Sequence, residues 1–235
     1  MRRIVIAAAM TLALLLAAAF LIFNASKVGQ NKLSEPTRLP VPLETTRLPQ
    51  PIVRGNMSVE EALSTRRSVR EYSSTDLSDN DLSQIVWAAQ GITSPQGFRV
   101  APSAGALYPI EVYVVNATGV YHYIPLNHSL ERIKEGNIKD DLMRAALNQN
   151  AVKQAPLDLI IAGVYERTTV KYGDRAERYV HLEAGHVAQN VLVQCTALHL
   201  GAVPIGAFDD AKVQDVLGIS RDNRPLYIIP IGHTK

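Results

Sequence analysis

The apolar stretch at residues 157–164 constrains the fold more than any other part of this sequence. It reads Leu-Asp-Leu-Ile-Ile-Ala-Gly-Val, with a single charged residue. A nearly continuous apolar run of this length is typical of a β-strand buried on both faces, because a strand with one wet face alternates apolar and polar residues. The longest helical pattern, residues 175–200, follows soon afterwards and is ended by Gly201. We therefore predict a sheet whose faces are covered by helices.

The remaining elements predict an α+β fold class. Two apolar, β-branched segments at residues 110–115 and 120–123 are separated by a turn, which is typical of a β-hairpin. Residues 226–231 predict a last strand. A helix that begins after Ser78 carries an apolar stripe and is closed by Gly91. Further helices are predicted at residues 140–149 and 210–217.

The N-terminus contains an uncharged apolar run, residues 4–23, directly after Arg2 and Arg3. A helix of this length, at about 1.5 Å per residue, matches a hydrocarbon layer of ~30 Å, so the run predicts a membrane anchor. The two arginines predict that the N-terminus stays in the cytoplasm and that the rest of the chain lies outside it. The alternative is a cleaved signal peptide, after which the protein is exported.

A proline-rich segment follows the apolar run. The pattern Thr-Arg-Leu-Pro-x-Pro begins at Thr37 and again at Thr46, and its prolines favour extended backbone over helix. Two interpretations stay open: a semi-rigid spacer, or packing of the second copy along the folded domain. The predicted organisation is an anchor or signal peptide at residues 1–26, a spacer at 27–55 and a domain at 56–235.

Charge and residue content exclude several classes of protein. The chain has 24 Lys and Arg against 22 Asp and Glu, which is no basic excess for broad nucleic-acid binding. Cys195 is the single cysteine, so an intramolecular disulfide framework is excluded. No Gly-x-Gly-x-x-Gly opens a helix, which argues against a Rossmann site. Glu183 and His186 have a metal-ligand spacing, but a second such helix is missing from the sequence, and we predict no metal.

A cluster of arginines points to an anionic ligand. Ser58 and Glu61 predict the start of a short helix, which would place Arg66 and Arg70 on one helical face with Ser68 between them. Guanidinium groups bind phosphate oxygens bidentately and keep their charge, so this set suits a phosphate monoester. The alternative is a solvated basic helix face beside acidic residues.

Taken with later motifs, this cluster resembles the nitroreductase superfamily of FMN-dependent oxidoreductases. Within it the chain is similar to the SagB/ThcOx-type dehydrogenases, which oxidise azoline rings in modified peptides. The resemblance runs from about residue 48 to the C-terminus. It is carried by residues 58–70, 87–92, 102–109, 171–173, 182–190 and 204–206.

The resemblance implies a fold and a set of roles. The fold is a central, mostly antiparallel sheet covered by helices, in an interlocked homodimer that holds each FMN between subunits. Lys171 and Tyr172 match a pair that handles the substrate proton while flavin takes the hydride. The residues implied in cofactor binding are Arg66, Arg67, Ser68, Arg70, Pro102, Ser103, Ala104, Gly105, Leu107, Pro204, Ile205 and Gly206. Among these, Gly206 matches a position whose backbone N–H points at the reactive ring nitrogen.

Two features depart from the pattern of ordinary nitroreductases. Ala106 stands where their cofactor loop carries asparagine, and this chain stops soon after its last strand, where they carry further basic phosphate ligands. Both departures favour the dehydrogenase branch and a small organic or modified-peptide substrate. The alternatives are an NAD(P)H-dependent nitro or quinone reductase, and a flavin-binding domain without enzymatic activity.

Overall fold

The apolar strand at the centre of the sequence is also central in the fold. The structure is a computed structural model that describes residues 42–235. Strand β5 is Leu157–Gly163, and all seven of its residues are buried. In chain order the other strands are β1 (Glu44–Arg47), β2 (Ile110–Asn116), β3 (Gly119–Ile124), β4 (Ser129–Glu135), β6 (Leu200–Ala202) and β7 (Arg224–His233). They form an antiparallel sheet in the order β1-β4-β3-β2-β5-β7-β6.

Helices cover both faces of this sheet. Their bounds are α1 (Val59–Thr65), α2 (Asp79–Gln90), α3 (Lys139–Ala145), α4 (Asn150–Gln154), α5 (Tyr165–Tyr172), α6 (Ala176–Ala197) and α7 (Asp210–Leu217). One face of β5, with Leu159 and Ile161, packs in a core with α2 and α6. The opposite face, with Ile160, packs with α3 and α7. The predicted α+β class with a sheet between helices is therefore confirmed.

Several predicted elements have different bounds in the structure. Helix α1 ends at Thr65, and Arg66 already has extended backbone, so Arg66 and Arg70 do not share a helical face as predicted. The physical reason is pairing with the sheet, because the N–H of Val69 donates to the carbonyl of Ala202 at 3.0 Å. The helix predicted at 140–149 ends at Ala145, because Leu147 and Asn148 have positive φ, and a separate helix, α4, begins at Asn150. The long helix ends before Gly201, which lies in β6.

The second proline copy packs on the domain, which is the second of the two interpretations. Leu48 is buried, and the Pro49 carbonyl accepts hydrogen bonds from Ser83 Oγ at 2.6 Å and His128 Nε2 at 3.0 Å. The first two residues of this copy, Thr46 and Arg47, belong to β1, which pairs with β4. The division of the chain at residue 56 stays a prediction, although β1 and Leu48 already belong to the folded unit.

The predicted location at a membrane needs correction. No helix within residues 42–235 is long and apolar enough to cross a membrane, so the anchored or exported arrangement has no support in the structure. The run on which that prediction depended, residues 4–23, lies outside the described residues.

Candidate functional site

The arginine segment lies beside the short strand β6. Ser68 forms a parallel bridge with Ala202. Arg67 Nη1 donates to the carbonyls of Ser64 and Arg66, at 3.0 and 2.8 Å, and so caps the end of α1 instead of facing a ligand. Ser68 and Arg70 are exposed and Arg66 is half-buried. These three side chains form no hydrogen bond with other residues in the 42–235 range, which leaves them available to an anion.

The segment Pro204, Ile205 and Gly206 continues from β6 along β7. Backbone hydrogen bonds join Ile205 and Ile228 in both directions, at 2.8 and 3.0 Å. Gly206 is exposed, and a Cβ built on it would meet nothing within 4 Å. The space beside its backbone is therefore open to a ligand. Strand β7 begins at Arg224, which pairs with Gly163 at the end of β5, and Gly163 also pairs with Ile110 at the start of β2. The segment therefore runs toward the end of the sheet where the loop at 102–109 enters β2.

The structure brings the loop together with the predicted catalytic pair. Gly105 has φ +65°, and a Cβ added there would lie 2.9 Å from Tyr172 Oη and 3.0 Å from Lys171 Nζ. The tips of both side chains therefore meet over this glycine, although the two motifs are far apart in sequence. Lys171 and Tyr172 are the last two residues of helix α5. Lys171 is exposed, so one chain does not form a closed site around it.

The loop is held in a strained conformation by its own polar groups. Ala106 and Tyr108 have φ of 55° and 46°, a backbone conformation that residues other than glycine rarely adopt. Ser103 Oγ accepts a hydrogen bond from the backbone N–H of Tyr108 at 2.9 Å. The Arg99 guanidinium lies 4.6 Å from the centre of the Tyr108 ring. Pro102 is exposed at the start of this loop, whereas Ala104 and Leu107 are half-buried.

Glu183 is a polar residue of this region that sequence reasoning did not place at the site. It lies on the buried face of α6 and is 3% exposed. Burial raises the pKa of its carboxyl group to about 7, while Ser103, the Arg99 charge and Gln90 act in the opposite direction. Within residues 42–235, Glu183 Oε1 and Gln90 Nε2 are buried and have no hydrogen-bond partner of standard geometry, although Gln90 is a neighbour of the carboxyl group. A signal was present in the sequence, since this carboxylate lies within the apolar stripe of its helix.

A metal site has no counterpart in the described part of the chain. No three His, Cys, Asp or Glu side chains among residues 42–235 lie close enough together to hold a metal ion. The groups available for a ligand are instead guanidinium groups, a serine hydroxyl, open backbone at Gly206 and the pair above Gly105. This donor set suits an organic anion with a planar part.

The family model for the nitroreductase family matches residues 63–233. The chain belongs to the nitroreductase family. The matched range contains the arginine segment, the loop, the Lys171 and Tyr172 pair and the Gly206 segment. As a member of this family the chain is an oxidoreductase, and the family predicted from the motifs is confirmed.

Individual nitroreductases agree with this assignment. Protein MJ1384 of Methanocaldococcus jannaschii, provisionally named a nitroreductase, is 48% identical over 182 residues, which are 75% of this chain and 91% of that protein. A crystal structure of a provisionally named nitroreductase from Ralstonia eutropha has a TM-score of 0.75 at 29% identity, and the match covers 84% of this chain and 95% of that one.

A more distant relative is named for a different role. The Microcin B17-processing protein McbC of Escherichia coli is 27% identical over 135 residues. The match covers 52% of this chain and 49% of McbC. The chain thus spans about half the length of this relative.

Proposed function

We propose that this nitroreductase binds FMN and uses it to oxidise a small organic or azoline-containing peptide substrate. The observation that carries the proposal is the meeting of Lys171 Nζ and Tyr172 Oη over Gly105 in the loop. A base for substrate oxidation must lie beside the cofactor, and this loop is the segment that the family resemblance assigns to the cofactor. Similarity to the Microcin B17-processing protein supports the choice of a modified peptide as substrate.

The chemistry of the residues present suits FMN. Arg66, Ser68 and Arg70 supply charged and hydroxyl donors for one terminal phosphate. Gly206 offers backbone with open space beside it, as a donor to the ring requires. Bound FMN would supply the hydride acceptor. Lys171 would take the substrate proton and Tyr172 would orient the substrate, both from the loop side of the site.

A homodimer is part of the proposal, because one chain leaves apolar groups uncovered. Leu182 on α6 and Val59 and Leu63 on α1 are each more than half exposed. Helix α1 packs against α6, so the exposed surface that carries these side chains is formed by two neighbouring helices. A second copy would cover this surface and would close the site around Lys171, which is otherwise exposed.

A reductase of nitroaromatic or quinone compounds fed by NAD(P)H is the second candidate. The 48% identity to a protein provisionally named a nitroreductase favours it. The two candidates share FMN and the fold and differ in the direction of electron flow.

The test is to purify the full chain, record its visible spectrum and identify the released small molecule by mass spectrometry. Lys171→Ala should stay yellow and lose about 10²–10⁴-fold in azoline oxidation, the usual contribution of a positioned base. Lys212→Ala, at an exposed lysine paired with Asp209, is the control and should retain full activity. Colourless protein, or unchanged turnover without Lys171, would contradict the proposal. Nitroaromatic reduction that is independent of Lys171 would favour the second candidate.

A further inference from the structure

Arg167, which belongs to none of the family motifs, joins helix α5 to the loop at 102–109. Arg167 lies one helical turn before Lys171 on α5. Its Nη1 donates to the carbonyl of Tyr108 at 3.0 Å, and its Nη2 forms an ion pair with Glu111 Oε1. One planar guanidinium therefore joins the helix that carries the catalytic pair, the loop beneath that pair and the first residues of β2.

Glu111 is itself fixed on its other side. Its Oε2 lies 2.7 Å from His122 Nε2, and the His122 ring stacks on Tyr113 at 4.9 Å. Burial alone would raise the pKa of Glu111, but the contacts with His122 and Arg167 outweigh burial and lower it. The carboxylate is therefore held ionised between two donors. Such a charge-assisted pair fixes geometry more strongly than a neutral hydrogen bond.

The contacts of Arg167 hold backbone at the junction between the loop and β2. Tyr108, whose carbonyl accepts from Arg167, is one of the loop residues with positive φ. The N–H of Val164, just before α5, donates to the carbonyl of Pro109 at 2.8 Å. Helix and loop are thus joined at both residues that lead into β2, and they meet again where Lys171 lies over Gly105.

We infer that Arg167, supported by Glu111 and His122, is a positioning residue that holds Lys171 and Tyr172 over the loop. This inference rests on the proposed role of Lys171 in proton transfer. The four-carbon side chain of lysine is flexible and does not fix the position of Nζ by itself. The position of Lys171 Nζ therefore depends on where the backbone of α5 is held. A displacement of about 1 Å in a reacting group can cost on the order of 10²-fold in rate.

The test compares two variants of the arginine with one of its partner. Arg167→Met keeps the aliphatic stem without donors, Arg167→Lys keeps charge without the planar fork, and Glu111→Gln removes the anion. Arg167→Met should lower kcat by about 10–100-fold and leave FMN affinity within about twofold, because Arg167 forms no hydrogen bond with the arginine segment proposed to hold the phosphate. Arg167→Lys should recover part of that loss.

Coupling to Lys171 distinguishes positioning from a general loss of stability. In the Lys171→Ala background, Arg167→Met should lower kcat much less than it does in the wild type, because the amine that accepts the proton is no longer there to be positioned. Arg221→Met is the matched control, since Arg221 also bridges a backbone carbonyl, of Ala211 at 2.8 Å, and a carboxylate, of Asp215 at 2.6 Å. Its partners belong neither to the loop nor to α5, and it should leave kcat unchanged.

Hydrogen exchange gives a readout that does not depend on activity. Arg167→Met should speed amide exchange by at least about tenfold in peptides that cover residues 99–109 and 164–172. Both segments lose the hydrogen bond between the Arg167 side chain and the Tyr108 carbonyl. Unchanged exchange and kcat, or fully additive losses with Lys171→Ala, would overturn the inference. Full turnover in Lys171→Ala would instead remove the proposed function, and exchange would still decide whether Arg167 fastens the loop. If Arg167→Met fails to fold, Arg167→Lys and Glu111→Gln decide the same question.

Discussion

Replacing Glu183 by glutamine should make the protein more stable at neutral and alkaline pH. The native carboxyl group has its pKa raised from 4.5 to about 7 by burial. The native state therefore keeps the proton at pH values where the unfolded state has lost it. By linkage, the raised pKa of Glu183 contributes to the free energy of unfolding in full below pH 4.5. This contribution is lost as the pH rises toward 7. Glutamine has nearly the same shape and does not titrate.

The magnitude follows from the size of that shift. A rise from 4.5 to about 7 corresponds to roughly 3 kcal/mol of differential stability, at about 1.4 kcal/mol per pH unit. The stability of Glu183→Gln relative to wild type should therefore increase by up to that amount between pH 4.5 and pH 8. The buried Asp158 also has a raised pKa, but its contribution is common to both proteins and cancels in the difference.

Urea unfolding of the apo protein, followed by the fluorescence of Trp87, measures this difference at several pH values. Trp87 is the only tryptophan, and it lies in α2 three residues before Gln90, which neighbours Glu183. The control is Glu177→Gln, an exposed residue on the same helix. A stability difference that stays constant from pH 4.5 to 8, or that Glu177→Gln reproduces, would refute the reasoning.

Three further predictions concern the loop, the phosphate and the assembly. Ala106→Asn should raise the free energy of unfolding by about 0.5–1 kcal/mol, because asparagine tolerates the positive φ of this position better than alanine; Ala207→Asn, at an exposed residue with ordinary backbone, should not. Arg70→Ala should weaken FMN binding by roughly 1.5–3 kcal/mol in a fluorescence titration, and exposed Arg54→Ala should leave it unchanged. Light scattering should give twice the chain mass for the flavin-loaded protein, and a loaded monomer would contradict the dimer.

Local signals in the sequence were reliable where short-range physics decides the structure. The capping box at Ser78 and Asp81 is present at the start of α2, and Gly91 follows its end. The apolar run at β5 was predicted as a doubly covered strand because it lacks alternation, and it is one. The loop and the Lys171 and Tyr172 pair came from family motifs, and the structure adds that they touch.

Features that depend on long-range pairing were not predictable from local pattern. The spacing of Arg66 and Arg70 predicts a helix, but the backbone hydrogen bond from Val69 to Ala202 holds this segment in extended conformation beside β6. Strand β4 has only two apolar residues, Leu130 and Ile133, and their spacing of three does not give the alternation typical of a strand, so local pattern did not predict it. Glu183 could be found only as a carboxylate out of place in an apolar stripe, since its neighbours come from distant elements.

The docked N-terminal segment also protects the sheet from self-association. Strand β1 is four residues long, exposed and polar, with Glu44 paired to Arg132, which makes it a poor template for another strand. Without it, β4 would present unpaired N–H and C=O groups to solvent, and Leu48 would leave the core. Proteolysis between β1 and α1 would thus leave β4 as an open edge strand that promotes aggregation, so the integrity of this segment governs self-association as well as folding.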